Sequence, residues 1–110
     1  MLHLTQETQI LIAIEPIDFR KQIDGLITLC DQILQFNPRS GQLFAFINRS
    51  RTMIRVLCYE SGGYWLATKR LSRGRYTQWP NQKNVLSRSI IASEFTTLLK
   101  QFVALQKKPR

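Results

Sequence analysis

The feature that most constrains the fold is a series of short apolar, β-rich segments separated by turn residues. Leu43–Ile47 is apolar at every position, as in a central strand that is covered on both faces. Residues 53–60 and 64–71 follow, joined by a Ser-Gly-Gly turn at 61–63, where glycine supplies the positive φ of a hairpin at little cost. Because the connections are short, we predict an antiparallel meander of three strands.

Elements on either side of this meander complete an α+β fold. Residues 9–14 are typical of a short buried strand. A helix of about 15 residues is predicted to follow, capped by Asp18 and marked by apolar residues three and four apart. A second helix is predicted over 92–105. We therefore expect an antiparallel or mixed sheet of four to five strands, with one long helix on a face and a C-terminal helix.

The 110 residues are enough for one core, so residues 1–110 are predicted to form a single domain. Within it we expect a loose N-terminus at 1–8, a loop at 81–89 and a basic tail at 106–110. Strands near Gln9 and Tyr76 are predicted to lie at sheet edges. A second copy of the chain could pair with such an edge or with the apolar face of the helix at 92–105, so a homodimer is one of the possible states.

Several features indicate the compartment. The longest apolar run is five residues, far short of a membrane span, and the first residues lack the basic and apolar regions of a secretory signal. Cys30 and Cys58 have no CxxC spacing, which favours free thiols in a reducing environment. We expect a cytoplasmic protein with no membrane association.

The charge is concentrated in the middle of the chain. Sixteen Lys and Arg against seven Asp and Glu give a net charge of +9, and positions 36–93 hold ten basic residues but one acid, Glu60. Arginine makes forked contacts to phosphate, so this excess predicts a nucleic-acid-binding surface. A solubility surface, or a patch that binds an acidic protein, stays open. The predicted phosphate contacts are Arg49, Arg51, Arg55, Lys69, Arg70, Arg73 and Arg75.

Two aromatic residues, Tyr76 and Trp79, lie in the densest basic stretch, at 69–80. Aromatic side chains among basic ones suit base stacking or a protein interface; alternatively, these two cover the core. If the strand at 53–60 pairs with both neighbours, Arg55 and Lys69 would share a sheet face near the turn at 48–52. That arrangement would make one patch from two regions of the sequence.

Residues for catalysis are scarce. His3 is the single histidine, and Glu60 is the one acid between positions 36 and 93. Metal-dependent nucleases need several converging carboxylates, and the chain has no glycine-rich phosphate loop, nucleophile elbow or zinc-ligand spacing. We predict a non-enzyme with no catalytic residue, no metal and no cofactor. A metal-free basic ribonuclease, which needs none of these motifs, stays open.

Four sequence blocks between positions 12 and 80 resemble a known family. Residues 18–26 are similar to D-M-R-K-G-x-D-G-L, and residues 37–46 to D-P-F-S-G-x-L-F-V-F. Residues 48–49 and 54–57 match N/R and L-K-I-L elements, and 69–80 match K-R-L-E-R-G-R-F…W-P. The chain thus resembles the accessory protein, called TnpB or the second open reading frame, of bacterial insertion sequences of the "insertion sequence 66" family. Gln22 and Ser72 depart from the pattern. The motif residues are Asp18, Arg20, Lys21, Gly25, Pro38, Gly41 and Gly74.

The resemblance implies a bacterial protein that is encoded beside a separate DDE-type transposase and assists transposition, with no known catalytic residues. Taken together, the resemblance and the basic charge predict a non-catalytic accessory factor that binds DNA, the transposase–DNA complex, or both. The alternative is an adaptor that docks on the transposase without touching DNA, with Tyr76 and Trp79 as anchors. A small basic ribonuclease is a third hypothesis.

Overall fold

The computed structural model describes residues 4–103, which form a five-stranded mixed sheet with a helix on each face. The α+β class and the mixed sheet are confirmed. In chain order the elements are β1 (Gln9–Ala13), α1 (Ile23–Thr28), β2 (Leu43–Ile47), β3 (Met53–Glu60), β4 (Gly63–Arg70), β5 (Arg75–Tyr76), β6 (Ser87–Ile91), α2 (Ala92–Leu99) and β7 (Phe102–Val103).

The sheet order is β4-β3-β2-β1-β6. The predicted meander is confirmed, because β3 pairs antiparallel with both β2 and β4. β1 and β2 are parallel, and the connection between them carries α1 across one face. β5 and β7 form a separate two-stranded sheet, in which Tyr76 lies opposite Phe102. Tyr76 therefore does not belong to the main sheet, and the prediction of an edge strand near Tyr76 in that sheet is wrong.

The prediction of one long helix is wrong. The α-helix spans Ile23–Thr28 and continues as a π-helical turn over Leu29–Ile33, where Leu34 N donates to Leu29 O at 3.0 Å. Asp18 does not cap it, because the helix begins five residues later, at Ile23, with Gln22 in the N-cap position. The Asp18 carboxylate instead accepts from Arg20 N at 2.9 Å and closes a local turn, a common competitor of helix capping.

The second helix is shorter than the predicted 92–105. α2 ends at Leu99, and the chain then turns into β7, so Phe102 lies in a strand. Leu105 and the basic tail at 106–110 lie outside the described residues. At the other end of α2, Ala92 N donates to Thr8 O at 2.7 Å. Residues 5–8 thus form a turn against the start of α2. Residues 1–3 of the N-terminus predicted to be loose lie outside the described residues. No helix within residues 4–103 is long and apolar enough to cross a membrane.

β6 lies where we predicted a loop. It pairs antiparallel with β1, from Gln9 opposite Ile91 to Ala13 opposite Ser87. β1 is therefore an inner strand, and the prediction of an edge near Gln9 is wrong. The three polar residues that open β6, at 87–89, face solvent wholly or in part, because an edge strand is covered only partly.

Two cores lie on opposite faces of the sheet. Under α1, Leu26 and Cys30 pack on Phe44, Phe46 and Leu57, and all five are fully buried. The opposite face is covered by α2 and by the irregular segment that follows β4. The side chains that cover it are Tyr76, Trp79, Phe95 and Leu98, above Ile10, Ile12, Ala45, Ile54 and Ile90. The inner strands β1 and β2 alternate between the two cores, which explains their unbroken apolar sequence.

Both cysteines are free and buried, and burial raises the pKa of Cys30 to about 12 and that of Cys58 above its ordinary value. The thiolate is the reactive form. We therefore expect neither thiol to react with a thiol-specific reagent in the native protein at neutral pH, and both to react in urea. Labelling followed by mass spectrometry would check this. Native labelling at the rate of a free thiol would contradict the placement of these side chains.

Candidate nucleic-acid interface

The predicted basic residues gather at one end of the sheet, where β2 ends, β3 begins and β4 ends. The segment after β1 reaches the same end, because Ile17 N donates to Ile47 O at 2.9 Å. We call this region the basic end. It comprises the basic residues of three neighbouring chain segments, namely Arg20, Lys21, Arg49, Arg51, Lys69, Arg70, Arg73 and Arg75.

The turn at 48–52, which carries Arg49 and Arg51, is held by Asn48. This side chain is buried; its Oδ1 accepts from Thr52 N at 2.9 Å and Met53 N at 3.0 Å. Its Nδ2 donates to the hydroxyls of Ser50 and Thr52. Asn48 is a positioning residue that the sequence prediction missed. The signal for it was an asparagine directly after an apolar strand, a usual start of a turn.

The segment with Arg73 and Arg75 is hydrogen-bonded to that turn. Leu71 N donates to Thr52 O at 2.9 Å, and Tyr76 N donates to Arg51 O at 2.8 Å. Gly74 has a φ of 80°, which favours glycine and lets the chain fold back over the sheet end. The structure thus places two arginine-rich regions, 48–52 and 69–76, side by side. Arg73 and Arg75 are both exposed.

Arg55 and Lys69 lie on opposite faces of the sheet, so the prediction that they share a face is wrong. Arg55 lies opposite Thr68, whereas Lys69 lies opposite Ile54. A change of one residue in register moves every side chain of a strand to the other face, and the sequence did not fix this register. Lys69 Nζ lies 3.5 Å from Leu99 O, on the α2 side.

Arg55 is engaged in holding the fold together. Its Nη1 donates to Phe19 O at 2.8 Å and to Lys21 O at 3.1 Å. The guanidinium carbon lies 4.6 Å from the centre of the Phe19 ring. Arg55 therefore ties the segment before α1 to β3 through its Nη1. This structural role differs from the phosphate contact that we predict for Arg55 from the sequence.

We expect Arg55→Met to lower the free energy of unfolding by about 1.5–3 kcal/mol, because it removes charged hydrogen bonds to two carbonyl oxygens. Methionine keeps the aliphatic part of the side chain. Urea unfolding would measure this loss. The salt dependence of DNA binding by the folded variant should match that of the wild type; a flatter dependence would show that Arg55 does contact phosphate.

A shallow cavity of about 490 Å³ opens between the segment before α1 and the turn at 48–52. Its apolar part is formed by Ile17, Phe19 and Met53, and its polar part includes Asp18, Arg20, Arg49 and Ser50. Asp18 and Arg20 form an ion pair at 2.7 Å. Among the described residues, Arg20 is the one member of the basic end in an ion pair.

The hydrogen bonds from Arg20, with a smaller effect of the nearby Arg49 charge, lower the pKa of Asp18 from 3.8 to about 2. Because the folded-state pKa is the lower one, this ion pair stabilises the fold above pH 3.8 and stops doing so as the pH falls through about 2. Asp18 therefore stays ionised and occupied by Arg20 under ordinary conditions. Arg49 and Arg55 are the other two cations that line the cavity.

Tyr76 and Trp79 are buried, with exposed fractions of 1% and 4%. Trp79 Nε1 donates to Ala13 O at 3.0 Å, beneath the sheet end. Neither ring is available to stack on a base or anchor a partner, so that prediction is wrong. The alternative, that both aromatics cover the core, is confirmed.

The remaining motif residues have local structural roles. Gly41 has a φ of 84° in the turn before β2, a conformation that favours glycine. Pro38 is buried in the same connection. Gly25 lies in α1, where an added Cβ would come within 3.3 Å of the Lys21 Cβ. Within the described part of the chain, no three His, Cys, Asp or Glu side chains are grouped so that they could hold a metal ion.

Comparison with known proteins gives one family. A family model described as IS66 Orf2-like protein matches residues 8–108. The chain is similar to two uncharacterized proteins of Sinorhizobium fredii. One, y4hO, is 36% identical over 81 residues, which are 74% of this chain and 70% of the relative. The other, y4jC, is 27% identical over 111 residues, covering 99% of this chain and 93% of the relative. No solved structure matches the chain significantly.

Proposed function

The chain belongs to the family of IS66 Orf2-like proteins, and from this premise we propose that it is a non-catalytic accessory protein of an insertion sequence that binds DNA through its basic end. On this proposal it acts on DNA alone or on DNA held by the transposase of the same element. Family membership supports the accessory role, and the basic end supports the DNA contact.

The observation that carries the proposal is the set of exposed arginines on a hydrogen-bonded frame. Arg49, Arg73 and Arg75 are exposed, and the turn and segment that carry them are tied by backbone hydrogen bonds. Phosphate contacts from arginine are charge-assisted, and a fixed backbone reduces the ordering that binding requires. Such contacts position a protein on DNA without reading its sequence, so sequence choice would come from the transposase.

A salt series of duplex DNA binding tests the proposal, with single-stranded DNA and RNA alongside. Each neutralised phosphate contributes about −0.9 to the slope of log affinity against log salt on duplex DNA. We expect a slope of about −3 or steeper, from at least three contacts. An absence of binding at low salt would overturn the proposed DNA contact.

That negative result would favour the alternative, an adaptor whose basic end docks on an acidic surface of the transposase. The exposed cations suit this partner too, although the burial of Tyr76 and Trp79 removes the aromatic anchors expected for it. Co-purification with the transposase after nuclease treatment would support the adaptor. Loss of the complex on nuclease treatment would support the DNA contact.

A further inference from the structure

The outer edge of β4 is a long unpaired strand edge. β4 is the last strand of the sheet, and no strand within residues 4–103 pairs with its outer side. Its register with β3 runs without a bulge from Arg70 opposite Met53 to Gly63 opposite Glu60. Trp65, with 49% of its surface exposed, stands on one face of this strand.

Proteins usually protect such an edge with proline, a bulge, short length or central charges. β4 has eight residues, no proline, and no charge in its first six positions. The opposite edge strand, β6, has five residues and carries Arg88 near its middle. β4 is thus the one edge of this sheet that is built to accept another strand.

We propose that β4 pairs antiparallel with β4 of a second copy of this chain, about a two-fold axis at Ala67. In this register Trp65 lies opposite Lys69 of the second copy, and Tyr64 lies opposite Arg70. The symmetry repeats each pair, which gives four aromatic–cation pairs, two on each face of the joined sheet. Leu66 lies opposite Thr68, and the small Ala67 side chains meet at the axis.

This register follows from the chemistry of the strand. Side chains directly opposite in an antiparallel pair have Cβ atoms about 5 Å apart, within range of a cation–π contact. Moving the axis to Leu66 or Thr68 separates both kinds of aromatic–cation pair. A parallel pairing would bring the Lys69 and Arg70 side chains of the two copies together, and like charges at that distance repel.

The aromatic rings that would receive the cations are already held in place. Trp65 Nε1 donates to a Glu60 carboxylate oxygen at 2.8 Å. The Tyr64 ring packs edge-to-face on Tyr59 with centroids 5.0 Å apart. Both rings therefore lose little conformational freedom when a second strand arrives. The dimer does not depend on the proposed DNA contact.

Disulfide trapping tests the register directly. Across a two-fold axis at position 67, the Cα atoms of Ala67→Cys in the two copies would lie about 5 Å apart, within disulfide reach. Those of Thr68→Cys would be about 8 Å apart, since each is displaced by one residue along its strand. We expect mild oxidation of nuclease-treated protein to cross-link Ala67→Cys and not Thr68→Cys. The native cysteines are buried and should not contribute.

Light scattering over a concentration series, in buffer with enough salt to screen the net charge, measures the dimer without cross-linking. We expect a concentration-dependent dimer, weakened at least about tenfold by Ala67→Lys, which sets two lysines against each other at the axis. Thr68→Lys adds the same charge opposite Leu66 and should weaken it less. A monomer at every concentration, a dimer that Ala67→Lys leaves intact, or equal cross-linking at both positions would overturn the proposal.

Discussion

The Arg73→Ala/Arg75→Ala double variant is expected to bind duplex DNA about a hundredfold more weakly than the wild type at low salt. Each arginine is exposed at the basic end, and a lost charge-assisted contact costs about 1.5 kcal/mol or more, roughly tenfold in affinity. The slope of log affinity against log salt should become shallower by about 1.8, for two phosphates. Fluorescence anisotropy on a labelled duplex measures both quantities.

The matched control is Arg39→Ala/Arg88→Ala, which removes the same two charges elsewhere. Arg39 precedes β2 and lies over the Tyr59 ring, at the end of the sheet opposite to the basic end. Arg88 belongs to β6, where it pairs with Ile12 of β1. A general effect of net charge would weaken binding equally in both double variants. Equal losses would remove the basic end from the explanation, and unchanged binding by a folded Arg73→Ala/Arg75→Ala variant would do the same.

Trp79→Ala is expected to lower the free energy of unfolding by about 3–5 kcal/mol, the usual cost of emptying a buried Trp or Phe site. Trp79 is 4% exposed, and its indole nitrogen satisfies the Ala13 carbonyl. Because small domains have about 5–15 kcal/mol in total, this single change would leave the protein only marginally folded. Urea unfolding followed by circular dichroism measures the loss.

Tyr76→Phe serves as the control for this prediction, because it keeps the ring and removes one atom. The Tyr76 hydroxyl is buried, has no hydrogen-bond partner among the described residues, and has its pKa raised by burial. Removing an unsatisfied buried hydroxyl should leave the free energy of unfolding unchanged or raise it by up to about 1 kcal/mol. A loss comparable to that of Trp79→Ala would show that the hydroxyl is bonded in solution.

The sequence predicted the fold well where a local pattern of apolar and turn residues defines the element. The apolar runs at 43–47 and 53–60, with glycines between 53–60 and 64–71, predicted the meander because turn chemistry and alternation agree there. The strand at 87–91 could not be predicted, since its first three residues are polar and only its pairing with β1 makes it a strand. The length of α1 was missed because an aspartate near a helix start can close its own turn instead.

The candidate site divides in the same way. The arginine-rich segments can be recognised in the sequence itself, and the structure brings two of them, 48–52 and 69–76, together. The role of Arg55 depends on register and on two carbonyl oxygens more than thirty residues away, which no local pattern records. Tyr76 and Trp79 show that aromatic residues next to arginines in a sequence are ambiguous. The same pattern fits side chains that are buried over the end of a sheet and side chains that stack on nucleic-acid bases.

The position of β1 between β2 and β6 has a consequence for how the chain folds as it is synthesised. The second neighbour of β1 comes from residues 87–91, nearly eighty positions after β1 itself. Until that segment leaves the ribosome, one side of an almost wholly apolar strand has no partner. Pairings between such distant residues also slow folding, because the loop must close before any contact forms. Each new copy therefore passes through a stage in which chaperones, or the β1 edge of another nascent chain, compete with β6 for that edge.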